Sequence, residues 1–212
     1  ISADYLKMVS SVRVAPSINI KLYIMLALVL FFVIGCCGAV LLGRMSDIVD
    51  YLLYVDKKTG LPNREKLNIY IGEMAGKVLP EAFTCFTLNL DNLSELTKRF
   101  GYTVGDGVLK DFAGLVQLMG DTEGMRGYNG VGRFVVFFEE CSSKKAAAMI
   151  RILDNQVEEY NSLNPEYPIR YTAAWATTEE TDTYEIRELL RLSQKKWKQM
   201  EKEKKDKTEE ET

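Results

Sequence analysis

The chain has 212 residues, 47% hydrophobic and 27% charged, which is room for one ordinary core plus a membrane segment or a tail, but not for a second full-sized domain. It carries no histidine and a formal net charge of -3, so imidazole catalysis and imidazole metal sites are excluded, and no basic excess points to nucleic acid. The four cysteines, Cys36, Cys37, Cys85 and Cys141, have no C-x-x-C spacing and read as reduced, buried thiols.

The chain begins at Ile1 and reads as a piece whose upstream part is missing. Between Lys21 and Arg44 no side chain is charged, and about 22 residues at roughly 1.5 Å each span a hydrocarbon core of about 30 Å. Segment 21–44 is therefore expected to be a transmembrane helix and 1–20 an extracytoplasmic segment. Arg44, Lys57, Lys58, Arg64 and Lys66 after the span, against Lys7, Arg13 and Lys21 before it, place the C-terminal part in the cytoplasm. Gly35, Ala39 and Gly43 repeat every four residues, a face on which two helices approach closely. Leu41, Met45, Ile48, Leu52 and Val55 then keep heptad spacing, so 45–56 reads as a helical stalk that pairs with a second copy or packs on its own domain.

Periodicity next predicts a helix over 63–78, a strand over 83–90 and a helix over 104–119. Strands over 124–128 and 134–138 are joined by a hairpin at Asn129 and Gly130. A helix over 143–163, a strand over 169–176 and a last helix from about Tyr184 complete the pattern. This is an α+β sandwich with one central sheet flanked by helices, over 57–205. From Lys195 onward the residues are nearly all polar or charged apart from Trp197 and Met200; this stretch reads as a solvated helix end carrying no site, closing in a charged tail at 206–212.

Three segments carry a resemblance. Asp56-Lys-Lys-Thr-Gly-Leu-Pro-Asn-Arg64 matches the pattern D-x-L-T-G-L-P-N-R almost residue for residue. Asn89-Leu-Asp91 through Gly101-Tyr-Thr-Val-Gly-Asp106 resembles D-x-D-x-F-K-x-x-N-D-x-x-G-H-x-x-G-D. Asn129-Gly-Val-Gly-Arg-Phe134, followed by Val135 to Phe138, falls where that pattern has G-G-D-E-F and a hydrophobic strand. The chain thus resembles the GGDEF domains of diguanylate cyclases. The resemblance implies a domain that works as a face-to-face pair, each member holding GTP with magnesium so that a ribose hydroxyl of one attacks the α-phosphate of the other.

Residue by residue, the resemblance implies a degenerate site. The first metal aspartate falls on Asn89, the second metal carboxylate on Gly132 and its neighbouring acid on Arg133. Of the two guanine contacts, one falls on Thr97 and the other is kept as Asp106. The phosphate-holding lysine aligns with Glu201 and the arginine after it with Lys205, while Val131 replaces the second glycine. The inhibitory R-x-x-D that binds cyclic di-GMP in many relatives falls on Asp121 and Gly124, and Arg126 is not at a compatible spacing. The implied vestigial nucleotide pocket is Asn89, Asp91, Thr97, Gly101, Gly105, Asp106, Gly130, Gly132 and Arg133, with no catalytic residue, no metal ligand and no cofactor.

A second resemblance lies upstream, where Arg13-Val-Ala-Pro-Ser17 leading into Lys21 and the apolar run is similar to the last transmembrane helix of Wzz-type chain-length regulators of surface polysaccharide synthesis. The expected function is a catalytically silent GGDEF-like regulatory or assembly domain of a bacterial membrane protein. Its expected partners are the membrane, a second copy, a guanine nucleotide and polysaccharide-assembly proteins. Two alternatives stay open: a diguanylate cyclase working only with an intact partner, and a purely structural dimerisation module.

Overall fold

The structure, a computed structural model of the chain, describes residues 20–120 and 124–210, so the expected extracytoplasmic segment lies outside the described residues. The described residues fall into two units, divided after Val49. The first is occupied by α1, a helix whose full extent is Ile20–Tyr54. It is long and apolar enough to cross a membrane, and its apolar side chains, from Leu22 to Leu42, stand exposed. Cys36 and Cys37 are exposed with them, so only Cys85 and Cys141 keep the buried environment expected of all four. The helix continues past the apolar run without a break, so the span and the proposed stalk are one element. Val55 leaves it and forms a β-bridge with Pro62.

The second unit contains α2 (Arg64–Met74), β1 (Thr84–Leu90), α3 (Leu93–Phe100), α4 (Tyr102–Gln117), β2 (Gly124–Tyr128), β3 (Arg133–Phe138), α5 (Ser143–Leu163), β4 (Tyr171–Thr177), the single turn α6 (Thr178–Thr181) and α7 (Ile186–Glu210). The four strands form one antiparallel sheet in the order β2-β3-β1-β4. Both faces of β3 are buried, which is why its sequence is a continuous apolar run rather than an alternation. Phe134, Val136 and Phe138 join Phe86, Leu88, Phe112 and Leu153 in one core, while Val135 and Phe137 join Leu67, Phe83, Cys85, Ile186 and Leu189 in the other. Helices α4 and α5 cover the first face; α2 and α7 cover the second.

Local chemistry fixes the element ends. Asn63 caps α2 by accepting from Lys66 N at 3.1 Å, and Ser142 caps α5 by accepting from Lys145 N at 3.3 Å. Helix α2 stops at Met74, short of the expected end, because Ala75 turns extended and Gly76 takes a φ of +80°. Helix α3 has no counterpart among the expected elements. It ends at Gly101, whose φ of +88° turns the chain directly into α4, so 101–106 is a helix junction and first turn rather than an open loop. Burial of the Cys85 thiol beneath α7 pushes its pKa up to about 12, and Ser193 Oγ, 3.4 Å away, also lies 2.7 Å from Thr87 Oγ1.

Candidate functional site

Asn89, next to last in β1, stands directly opposite Arg133 at the start of β3 and opposite Thr172 on β4. Two residues later on the same side is Asp91, and its carboxylate is surrounded by donors. Asn89 Nδ2 donates to Oδ1 at 2.9 Å, Thr172 Oγ1 donates to Oδ2 at 2.6 Å, and Lys204 Nζ lies 3.7 Å from Oδ2. Lys204 also donates to Thr172 Oγ1 at 2.7 Å and to the Tyr171 carbonyl at 3.0 Å. The end of α7 is thus tied to β4 directly through Lys204, with the Asp91 carboxylate beside it.

Beside this cluster lies a cleft of about 440 Å³ lined by residues from 89 to 102, from the hairpin and from α7. That volume is in the range of small-molecule sites. Asn89, Asp91, Thr97 and Arg133 of the expected pocket line it. Gly101, Gly105, Asp106, Gly130 and Gly132 do not; the glycines shape the elements around it instead. A Cβ on Gly105 would come within 2.3 Å of Thr97 Oγ1, so this glycine lets α4 pass close to α3. Thr97 donates to the Leu93 carbonyl at 2.7 Å, a bond within its own helix. Gly132 has a φ of +74°, its added Cβ would lie 3.1 Å from the Leu90 carbonyl, and its N–H is held by Tyr128 Oη at 3.2 Å.

Asp106 faces elsewhere: Lys58 Nζ donates to its Oδ1 at 2.8 Å, and this hydrogen bond raises the Lys58 pKa. Lys58 comes from a turn organised by Asp56, whose Oδ1 accepts from Lys58 N, Thr59 N and Thr59 Oγ1. The turn is anchored further by Tyr128 N, which donates to the Pro62 carbonyl at 2.8 Å.

Several lining residues fall outside the expected pocket. Lys98 and Tyr102 come from the unpredicted α3 and the first turn of α4, and Trp197 and Glu201 from the stretch expected to carry no site. Trp197 is only 7% exposed, and the Arg133 guanidinium lies 5.5 Å from its ring centroid. The signal for it is in the sequence: Ile186, Leu189, Ser193 and Trp197 keep helical spacing on one face, which continues to Glu201 and Lys204. At the hairpin tip, Val131 takes a φ of +52° with its side chain 83% exposed, a costly conformation for a β-branched residue.

Of the positions aligned with the inhibitory motif, Asp121 lies outside the described residues and Gly124 opens β2. Arg126 donates to the carbonyls of Met119, Gly120 and Gly124 and lies over the Phe138 ring, closing the turn into β2. The side chain of Lys205 lies outside the described residues.

Residues 53–207 match the family model described as diguanylate cyclase, GGDEF domain. Among curated proteins there is no match. Similar solved structures include the coiled coil and GGDEF domain of DgcB from Caulobacter crescentus in complex with c-di-GMP, at 15% identity and a TM-score of 0.59, covering 71% of this chain and 83% of that one. The FimX GGDEF domain from Pseudomonas aeruginosa aligns at 18% identity and a TM-score of 0.55, covering 67% of this chain and 90% of that one. The Vibrio cholerae LapD S helix-GGDEF-EAL structure bound to c-di-GMP aligns at 12% identity and a TM-score of 0.54, covering 64% of this chain. This chain spans 31% of the length of that structure. At these identities the likeness is one of fold.

Proposed function

Because this chain belongs to the diguanylate cyclase GGDEF-domain family, we propose that it is a pseudo-enzyme of that family: a regulatory or assembly domain on the cytoplasmic side of a bacterial membrane protein that does not synthesise cyclic di-GMP. The observation that carries this reading is the cross-strand pair Asn89–Arg133. The family pattern places metal-holding or acidic carboxylates at these positions, and this chain has a neutral amide facing a guanidinium.

Magnesium demands hard oxygen donors, with carboxylates supplying the charge. Here Asn89 has only an uncharged amide oxygen to offer, Asp91 is engaged by Thr172 and Lys204, and Gly132 has no side chain. The Arg133 guanidinium on the cleft wall would repel a divalent ion. This donor set does not fit the ion on which the family's phosphoryl transfer depends, and no chemical step is derived through it.

Domain boundaries follow the same reading: a membrane helix at 21–44, a stalk at 45–56 and the GGDEF-like domain at 57–205. The stalk supports self-association, since Met45, Ile48 and Leu52 expose apolar surface beyond the membrane run. A role in surface polysaccharide assembly rests on the upstream sequence resemblance alone. The test is incubation of the full chain in detergent with GTP and magnesium, followed by chromatographic assay for cyclic di-GMP. No product is expected, and turnover by the purified chain would sink the reading.

A further inference from the structure

We propose that β4 is an interface strand: its free edge pairs with β4 of a second copy of this chain, antiparallel and centred on Ala174, so that two sheets join into one. The inference concerns the sheet edge and does not depend on the pseudo-enzyme reading of the cleft.

Strand β4 closes the order β2-β3-β1-β4, so one of its sides has no neighbouring strand. Its register with β1 says which backbone groups lie on that side. Asp91 N donates to the Arg170 carbonyl at 2.8 Å and Thr178 N to the Phe83 carbonyl at 3.0 Å, so Arg170, Thr172, Ala174, Ala176 and Thr178 turn their amides and carbonyls toward β1. Tyr171, Ala173, Trp175 and Thr177 turn theirs outward. At the two ends the outward carbonyls are taken, Tyr171 by Lys204 Nζ at 3.0 Å and Thr177 by Thr181 Oγ1 at 2.7 Å. Between them, no backbone group pairs with the outward side of Ala173 or Trp175 among the described residues.

Native sheets ordinarily guard an open edge with charge, proline or a covering segment. The other edge of this sheet is guarded in that way, since Tyr128 N donates to the Pro62 carbonyl at 2.8 Å and Arg126 lies within β2. Strand β4 has no charged residue and no proline. The side chains of Ala173 and Ala174 are buried and offer a neighbouring strand no obstruction. Beside the strand runs an open cleft of about 220 Å³ lined by Ala174, Trp175, Glu180, Lys196 and Met200. Met200 is 40% exposed there, an apolar side chain on a helix end otherwise rich in charge.

Two features select a second copy in antiparallel orientation. About a two-fold axis at Ala174, Ala173 of each copy stands opposite Trp175 of the other, and these are the residues whose outward groups are free. Each such pair exchanges N–H to carbonyl bonds in both directions, and a bulky side chain meets a small one on the same face. Charge agrees with this arrangement. Arg170 and Lys204 lie at the start of β4 and Glu179 and Glu180 just past its end, so two-fold pairing sets the basic end of one copy against the acidic end of the other. Parallel pairing would set like ends together. Arg170, Lys204 and Glu180 also hold partners within the chain, Glu95, Asp91 and Lys196, so the complementarity fixes orientation more than affinity.

The test is disulfide trapping in the full chain in detergent, with Cys36→Ser and Cys37→Ser removing the exposed thiols. Across the two-fold, position 174 meets itself as a non-hydrogen-bonded pair with Cα atoms about 4.5 Å apart, within reach of a disulfide. Position 173 is displaced from its own copy by two residues, about 7 Å along the strand, and is out of reach. With copper phenanthroline as oxidant, Ala174→Cys is expected to form a linked dimer at least about tenfold faster than Ala173→Cys. Met200→Glu places like charges across the axis from an exposed position, and Ala173→Pro removes an outward N–H while leaving every bond between β1 and β4 in place. Each should slow the Ala174→Cys link by about the same factor, with circular dichroism confirming the fold of each variant. Hydrogen exchange read by mass spectrometry asks the same question without a cysteine: the Ala173 and Trp175 amides should exchange at least about tenfold faster in Met200→Glu than in the wild-type chain. No link at position 174 in a folded chain, a link no faster than at position 173, or exchange unchanged by Met200→Glu overturns the proposal.

Discussion

Lys58 Nζ meets Asp106 Oδ1 at 2.8 Å, joining the turn before α2 to α4 across 48 positions of sequence. Lys58 stands where the family pattern has leucine, and Asp106 stands where the resemblance implies a guanine contact. The pair is open to solvent, with side chains 54% and 42% exposed, so its contribution to stability is small. Its effect is on availability of the carboxylate. Lys58→Leu is expected to move the melting temperature by less than about 2 °C. It should also raise the preference for GTP over ATP by up to about fivefold, measured by competition titration. An unchanged preference would show that Asp106 does not reach a bound base.

Val131→Gly is expected to stabilise the domain. A left-handed backbone costs an L-residue about 1–2 kcal/mol, and the flexibility glycine gains in the unfolded chain returns roughly half of that. The net gain is about 0.5–1 kcal/mol, read as a melting temperature higher by about 1–4 °C. A lower melting temperature would mean that the exposed valine makes contacts that matter to the fold.

Gly132→Asp, which restores a carboxylate to the family's metal position, is expected to destabilise by about 1–3 kcal/mol. The backbone there has a φ of +74°, and the new Cβ would press to 3.1 Å on the Leu90 carbonyl at the end of β1. Thermal unfolding of the variant beside Gly132→Ala, which has the same Cβ and no charge, separates strain from electrostatics; equal losses assign the cost to the backbone.

The buried Cys85 thiol makes stability fall at alkaline pH. Its folded pKa is pushed up to about 12 by burial, from 9.0 when exposed. Below pH 9 both states hold the proton; above it the unfolded chain loses the proton first, so stability drops as pH rises through this window. From pH 9 to pH 10 the single thiol contributes a loss of roughly 1 kcal/mol, as the unfolded thiol goes from half to nearly fully ionised. Unfolding at pH 9 and pH 10 should differ by that much more in the wild-type chain than in Cys85→Ala, which leaves the Ser193–Thr87 contact in place. Equal differences in the two proteins would count against the shifted thiol.

The strands were readable in the sequence because Thr84–Leu90 and Arg133–Phe138 are short, β-rich and bounded by turn residues. Helix α5 was readable to its ends because Ser142 caps it and one apolar face runs its length. Helix α3 was not, since eight residues with only Leu96 fully buried leave little periodicity to detect. Asn89 and Arg133 were legible as chemically altered positions, but their pairing across β1 and β3 depends on register, which the sequence leaves open. The role of Trp197 was hidden by composition: lysines and glutamates dominate its surroundings and mask an apolar face that steps at three and four residues. Lys58 and Asp106 meet only through the tertiary fold, and nothing local in either segment announces it.

The face-to-face placement of Asn89 and Arg133 also bears on what a single substitution at either position could do. A chain that regained aspartate at position 89 by one mutation would set the new carboxylate against the guanidinium across the ladder, where each would neutralise the other. Such a chain gains no cation site. Regaining an acid at position 133 first fares no better, because the partner is then an amide already committed to Asp91. A carboxylate pair at this place therefore needs changes on both strands, β1 and β3.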